Sequence, residues 1–269
     1  MGATSSGRRL VLAWTLILNA LHGLSGVTAD CAAGSSTLTT EGCSGCGEYD
    51  LCLGFSSEDE CSSSGCVADG DCTYQCMSVN ANLSTLVVLI EFGGFKSSKE
   101  VAAGGYTDAD LAGYPDFTDK WPSANNDDVT TVSTIDVSSA VTTFIMSGGS
   151  ADVNYPQGKV ASVTLTADFI SAATAVTKVM FENLDLDGEI ESLSSLLPST
   201  VEYVELDNTL LSKFPAKLGD LTSLRQLILD YNYITSVDSL DVIDSITTLS
   251  LESNSIESFT GVFANLEYL

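Results

Sequence analysis

An eleven-residue pattern occurs twice in the last part of this chain, and it constrains the fold more than any other feature. Leu224-Arg-Gln-Leu227-Ile-Leu229-Asp-Tyr-Asn232-Tyr-Ile234 fits L-x-x-L-x-L-x-x-N-x-L at every fixed position. Ile246-Thr-Thr-Leu249-Ser-Leu251-Glu-Ser-Asn254-Ser-Ile256 fits it again 22 residues later. Working backwards, Val201, Val204, Leu206, Thr209 and Leu211 give a turn with Thr in place of Asn. Val176, Val179, Phe181, Leu184 and Leu186 give a weaker one, with Leu there. Counting Leu266, the starts are spaced 25, 23, 22 and 20 residues. A period of roughly 20–29 residues predicts a solenoid of stacked turns with one short strand each. The L-x-L alternation puts two apolar side chains on one strand face. The Asn at the ninth position leaves the strand, where its amide can satisfy the backbone groups of the bend.

These residues resemble the leucine-rich repeat. The stretch Phe214-Pro215-Ala-Lys-Leu218-Gly-Asp-Leu221-Thr-Ser-Leu224 resembles the convex half of its plant-type form. The resemblance implies an α/β solenoid, β-dominated, that serves as a binding surface rather than a reaction vessel. Leu266-Glu-Tyr-Leu269 is the opening of a further turn, so the expectation is a truncated product with apolar surface at that end. Upstream, Val141-Thr-Thr-Phe144-Ile-Met146 and Val160-Ala-Ser-Val163-Thr-Leu165 have the strand spacing of a repeat and are read as degenerate early turns. Residues 176–269 are thus the repeats, and 81–175 a degenerate repeat or N-terminal capping region. Asp116 to Asp128 reads as a surface loop, and Leu86 to Phe92 is only strand-sized.

The chain opens with Arg8 and Arg9, an apolar run from Leu10 to Leu18, and small residues ending Val27-Thr28-Ala29. That order describes a cleavable signal peptide over 1–29. The run is short for a membrane span, which needs about 20 residues. Cleavage would remove two of the ten basic residues and none of the 36 acids, leaving a net charge of about −28. Such a chain repels phosphate backbones, so nucleic acid is not an expected partner. All eight cysteines fall in the next segment, 30–80: Cys31, Cys43, Cys46, Cys52, Cys61, Cys66, Cys72 and Cys76. An even count after a signal peptide reads as four disulfides, in a pairing that sequence cannot choose. The filler is poor in apolar residues, so disulfides would substitute for a core. The rival reading is a zinc site on Cys43-x2-Cys46 and Cys72-x3-Cys76. Asn82-Leu83-Ser84 is a glycosylation acceptor.

Catalytic chemistry is hard to place here. The one histidine, His22, lies in the leader, which removes Ser-His-Asp and Cys-His catalysis from the mature chain. Neither a phosphate-binding nor a kinase-type glycine loop occurs. No catalytic residue, metal or cofactor is expected. Asn183-Leu-Asp185-Leu-Asp187-Gly188-Glu-Ile190 copies the start of a calcium loop, but the twelfth position is Ser194 rather than a bidentate Glu. The segment also coincides with repeat positions, so it reads as a structural turn.

The seventh position of each turn is Glu182, Asp207, Asp230 and Glu252: one column of acids on the expected concave face, with Tyr203, Tyr231, Asn183 and Asn208 beside it. The plain reading is a solvated acidic face. The functional reading is a recognition strip, taken to comprise Glu182, Asp207, Asp230, Glu252, Tyr203 and Tyr231, for a protein, peptide or glycan of basic character.

The leader, the eight-cysteine segment and the repeats together resemble the ectodomains of leucine-rich-repeat receptors. Tyr49-Asp-Leu-Cys52 through Cys61, Cys66, Cys72 and Cys76 is similar to the modules heading secreted and receptor-type leucine-rich proteins of oomycetes. The resemblance implies a secreted or cell-surface recognition module on the outer side of the plasma membrane. Its alternative is the N-terminal part of a receptor serine/threonine kinase, attached to the membrane only through a segment beyond residue 269.

Overall fold

The computed structural model describes residue 34, residues 36–57, residue 61, and residues 66–90, 129–148, 160–238 and 243–269. The expected leader over 1–29, Cys31 and the loop of 116–128 lie outside these. Cys31–Leu269 form one compact unit. Among the described residues helix is scarce: one turn of α-helix at Leu193–Leu196 and 3-10 turns at Asp187–Glu189 and Ala216–Asp220. No helix among them is long and apolar enough to cross a membrane. The fold is β-dominated.

Strands β1 (Thr37–Thr39), β2 (Leu51–Phe55), β3 (Cys66–Asp69) and β4 (Cys72–Met77) make the antiparallel part of a six-stranded sheet in the order β3-β4-β2-β1. Three disulfides tie this segment: Cys43–Cys52, Cys46–Cys76 and Cys61–Cys66. Cys72 is disulfide-bonded as well. All four cysteines of the zinc alternative are therefore consumed in disulfides, which fit an oxidising compartment. Around the bridges Cys52 and Tyr74 are fully buried, and the Tyr74 hydroxyl accepts the Gly45 N–H at 2.9 Å. A Cβ on Gly45 would meet Val67 Cγ1 at 2.6 Å, so this close approach requires glycine. Disulfides are not the segment's whole support. Leu38, Leu51, Leu53, Phe55 and Met77 are buried in the same apolar core as the downstream strands.

Downstream lie β5 (Thr85–Ile90), β6 (Thr131–Val132), β7 (Thr143–Gly148), β8 (Ala161–Ser162), β9 (Thr164–Leu165), β10 (Lys178–Glu182), β11 (Leu184–Asp185), β12 (Tyr203–Asp207), β13 (Gln226–Ile228), β14 (Ser236–Val237), β15 (Thr248–Ser250) and β16 (Ser258–Phe259). A second six-stranded sheet is parallel throughout, in the order β15-β13-β12-β10-β7-β5. Its register stacks like on like. Leu86, Phe144, Val179, Val204, Leu227 and Leu249 form one buried row across the six strands. Val88, Met146, Phe181 and Leu206 form the next. Phe169 packs edge-on against Phe144, ring centroids 5.5 Å apart, and touches Phe181 at 6.0 Å. On the far side of this core Leu193, Leu196, Phe214, Leu218, Leu221 and Ile243 are buried too.

The two expected early turns part company. Residues 141–146 run into β7, which pairs with β10 in the parallel sheet. Residues 160–165 do not join it: β8 pairs with β11, and β9 pairs with β6 in the sheet that carries the cysteine segment. Sixteen residues separate Val160 from Val176, short of the roughly 20–29 of a full repeat. The place beside β7 is taken instead by β5. At the other end, Tyr268 bridges Thr248 in parallel fashion, and Tyr268 and Leu269 are exposed.

Candidate ligand-binding face

Parallel sheets are usually covered on both faces. Here β10 and β12 alternate fully buried and half-buried residues, so the outward face is partly open at these strands, whereas on β7 Ile145 and Ser147 are buried. That face presents the third, fifth and seventh positions of each turn: Lys178, Met180 and Glu182 on β10, and Tyr203, Glu205 and Asp207 on β12.

Backbone geometry aligns the acids. Glu182 pairs with Asp207 in the strand register. Beyond the strands, the residue after each acid donates its N–H to the acid's carbonyl in the next turn. Asn183 donates to Asp207 at 3.0 Å, Asn208 to Asp230 at 3.1 Å and Tyr231 to Glu252 at 2.9 Å. Asn183, Asn208, Tyr231 and Ser253 all adopt left-handed backbone, with φ of 56°, 50°, 57° and 57°. Four successive turns therefore leave the strand in the same way, and the four acids stand in one column. Asn reaches this conformation more readily than Tyr or Ser because its short amide bonds locally.

The bend below the column is held by side-chain amides, Asn232 fully buried and Asn254 half-buried. Asn232 Oδ1 accepts from the Thr209 N–H at 3.0 Å, the Thr209 hydroxyl at 3.1 Å and the Leu211 N–H at 3.1 Å. Its Nδ2 donates to the carbonyls of Leu206, Leu229 and Asp230. Asn254 does the same one turn later, accepting from the Ile234 N–H and donating to Leu229, Leu251 and Glu252. In the turn with Thr in this place, the Thr209 hydroxyl reaches the Leu206 carbonyl at 3.3 Å.

The column is chemically uneven. Burial, followed by the charges of Glu205, Asp230 and Glu182, pushes the Asp207 carboxyl up to about 7. Its Oδ1 is buried with no hydrogen-bond partner among the described residues. Glu182 is raised by burial and then by Glu205, partly offset by the Ser147 hydroxyl at 3.4 Å. Asp230 is well served: its Oδ1 accepts the Ser250 hydroxyl at 2.6 Å and the Glu252 N–H at 2.7 Å. Glu252 is exposed. Neighbouring strands lie about 4.8 Å apart, so like charges crowd most where water is scarcest.

Of the residues expected beside the column, Tyr203 shares the open face, and its hydroxyl donates to Glu205. Burial and then Glu205 raise its pKa above the ordinary tyrosine value. The Lys178 ammonium sits 4.2 Å from the Tyr203 ring centroid, a cation–π contact. Tyr231 is half exposed just past the strand. Asn183 and Asn208 are buried, and the Asn208 amide donates to Asn183 Oδ1 at 2.8 Å. They brace the turn and do not belong to the surface. Glu205 and Lys178 are members that the seventh-position column did not include. Their signal was the alternation itself, since positions three and five point the same way as position seven.

In the expected structural turn of Asn183 to Ser194, Leu184 and Leu186 are fully buried and Asp187 accepts the Ser212 N–H at 2.7 Å. A shallow cleft of about 390 Å³ lies elsewhere, lined by Thr222, Arg225, Ser245, Thr247, Asn265 and Glu267. One guanidinium nitrogen of Arg225 there donates to the carbonyls of Thr222, Leu224 and Ser245, so much of the cleft's positive charge is already engaged.

No family model, no curated protein and no solved structure matches this chain.

Proposed function

We propose that this chain is a leucine-rich-repeat recognition module of the extracellular side, whose acidic open face binds a basic segment of a protein or peptide. One observation carries the reading: Asp207, held near neutrality among Glu182, Glu205 and Asp230, has a buried carboxylate oxygen with no hydrogen-bond partner among the described residues. Basic groups laid along the column relieve the repulsion that raises this carboxyl, so they bind where like charge is most crowded. Exposed pairs add only about 0–1 kcal/mol each, so Tyr203 and Tyr231 supply the contact area and the acids chiefly the speed and register of docking. The stacked register, the hydrogen-bonded amides of Asn232 and Asn254 and the repeat spacing support the repeat assignment. The disulfides support an oxidising, extracellular setting.

The test is binding of a Lys/Arg-rich peptide by the full chain across a salt series. Wild type should bind with an affinity that falls as salt rises. The variant Glu182→Gln, Asp207→Asn, Asp230→Asn, Glu252→Gln should lose most of that binding. A control of equal charge change, Glu191→Gln, Asp220→Asn, Asp244→Asn, Glu257→Gln, removes exposed acids off the column and should keep it. Equal losses in both variants would reduce the column to general acidity and sink the proposal.

A further inference from the structure

We propose that Asn82 carries an N-linked glycan, placed at the end of the parallel sheet opposite the repeats and clear of the acidic column. Asn82-Leu83-Ser84 is the one Asn-x-Ser/Thr triplet in the whole chain. It stands in a turn that is fixed at both ends. The Leu83 N–H donates to the Asn80 carbonyl at 3.1 Å, and the Asn82 N–H to Asn80 Oδ1 at 3.0 Å. The Ser138 hydroxyl holds the Ala81 carbonyl at 2.5 Å, and the Ser84 carbonyl accepts the N–H groups of Thr142 and Thr143. Within that frame Asn82 and Ser84 are both exposed. The fold thus leaves the acceptor amide in solvent, and a large substituent costs no buried contact.

The chemistry is a transfer from a lipid-pyrophosphate-linked oligosaccharide, the donor of a secretory membrane. Asn82 Nδ2 forms the bond to the anomeric carbon, that carbon's bond to the pyrophosphate oxygen breaks, and the amide gives up one proton as the lipid pyrophosphate leaves. The disulfides of the neighbouring segment are consistent with the compartment in which such donors act.

Position follows from the register. Leu89 is the residue of β5 aligned, through Ser147, with Glu182. Asn82 stands in the turn before Thr85, the start of β5, and Thr85 precedes Leu89 by four residues, so the glycan root lies beyond a point about 13 Å away along the strand direction at about 3.3 Å per residue. Two strand spacings, about 10 Å, separate β5 from β10 laterally. A glycan there leaves Asp207 and Asp230 open, so the modification and the binding reading stand independently of each other.

The experiment is intact-mass and peptide mapping of the full chain made in a eukaryotic secretory cell line, taken from the medium and from the microsomal fraction, before and after peptide N-glycosidase. We expect one glycan, mapped to the peptide containing Asn82, with the enzyme leaving an aspartate in its place. Asn82→Gln and Ser84→Ala should each abolish it, and Ser84→Thr should retain it. Unmodified Asn82 in both fractions of wild type, or enzyme-sensitive glycan that persists in Asn82→Gln, would overturn the proposal. Mapping of wild type needs no variant to fold.

Discussion

The cysteine segment and the repeat segment solve one problem in two ways. Both are built of short strands, and both must hold connections that contain too little helix to satisfy their own backbone. Between Cys43 and Cys76 the connections are tied covalently, by bridges that span 9, 30 and 5 residues. Between 201 and 256 they are tied by buried amides, with Asn232 making hydrogen bonds to both its own turn and the previous one. A disulfide acts mainly on the unfolded chain by restricting it. A buried amide acts on the folded chain by pairing groups that would otherwise be desolvated alone. The first region should thus respond to reductant and the second to single side-chain deletions.

The sharpest break of this comparison is Asn232→Ala. It strands carbonyls and N–H groups of two turns in the core, at about 1–3 kcal/mol for each group left unpaired. A total of about 3–5 kcal/mol is expected in denaturant titration, and Asn254→Ala, half-buried, should cost less. A loss below about 1 kcal/mol for Asn232→Ala would show that the bend does not depend on its amide.

Next comes Cys46→Ala/Cys76→Ala, which opens the 30-residue bridge. Loop-closure entropy gives about 3–4 kcal/mol. Cys61→Ala/Cys66→Ala opens a bridge of 5 residues and should cost about 2 kcal/mol. If the two pairs cost the same, restriction of the unfolded chain is not what these bridges contribute.

Smaller still is Asp207→Asn, and its sign is reversed. The folded carboxyl keeps its proton up to about pH 7, whereas the ordinary value is 3.8. Between those values the folded state binds a proton that the unfolded state has lost, so stability falls as pH rises from about 4 to about 7. The penalty is full above that. Asp207→Asn should therefore be more stable than wild type at pH 8, and the difference should vanish below pH 4. Solvent screening at this half-buried site holds the gain to about 1–2 kcal/mol. Paired thermal melts across pH test this, and a difference that grows toward acid pH would refute it. Glu252→Gln, at the exposed end of the same column, should change stability by less than about 0.5 kcal/mol at any pH.

Much of the repeat region was legible because its determinants are local. A Leu, Ile, Val or Phe at the first, fourth and sixth positions and a spacing of 20–25 residues placed β10, β12, β13 and β15 where the structure has them. β5 carries the same signal, Leu83-x-x-Leu86-x-Val88, but it starts 58 residues before Val141. No period reaches across that gap. The stretch from Val160 carried the spacing and still paired elsewhere, because spacing says which residues can form a strand and not which neighbour is free to accept it.

The candidate face divides along the same line. That four acids recur at one position was set by the sequence alone, since side-chain direction along a strand follows from counting. Their unequal chemistry was not. Asp207 and Asp230 are the same residue type at the same position of successive turns. One has a buried oxygen without a hydrogen-bond partner and the other is held by Ser250 and the Glu252 N–H. Which carboxylate loses its water depends on what the adjacent turns place over it, through contacts 20 or more residues apart in the chain. Only the tertiary structure brings those groups together, and the energy of a charge is set by its surroundings in space.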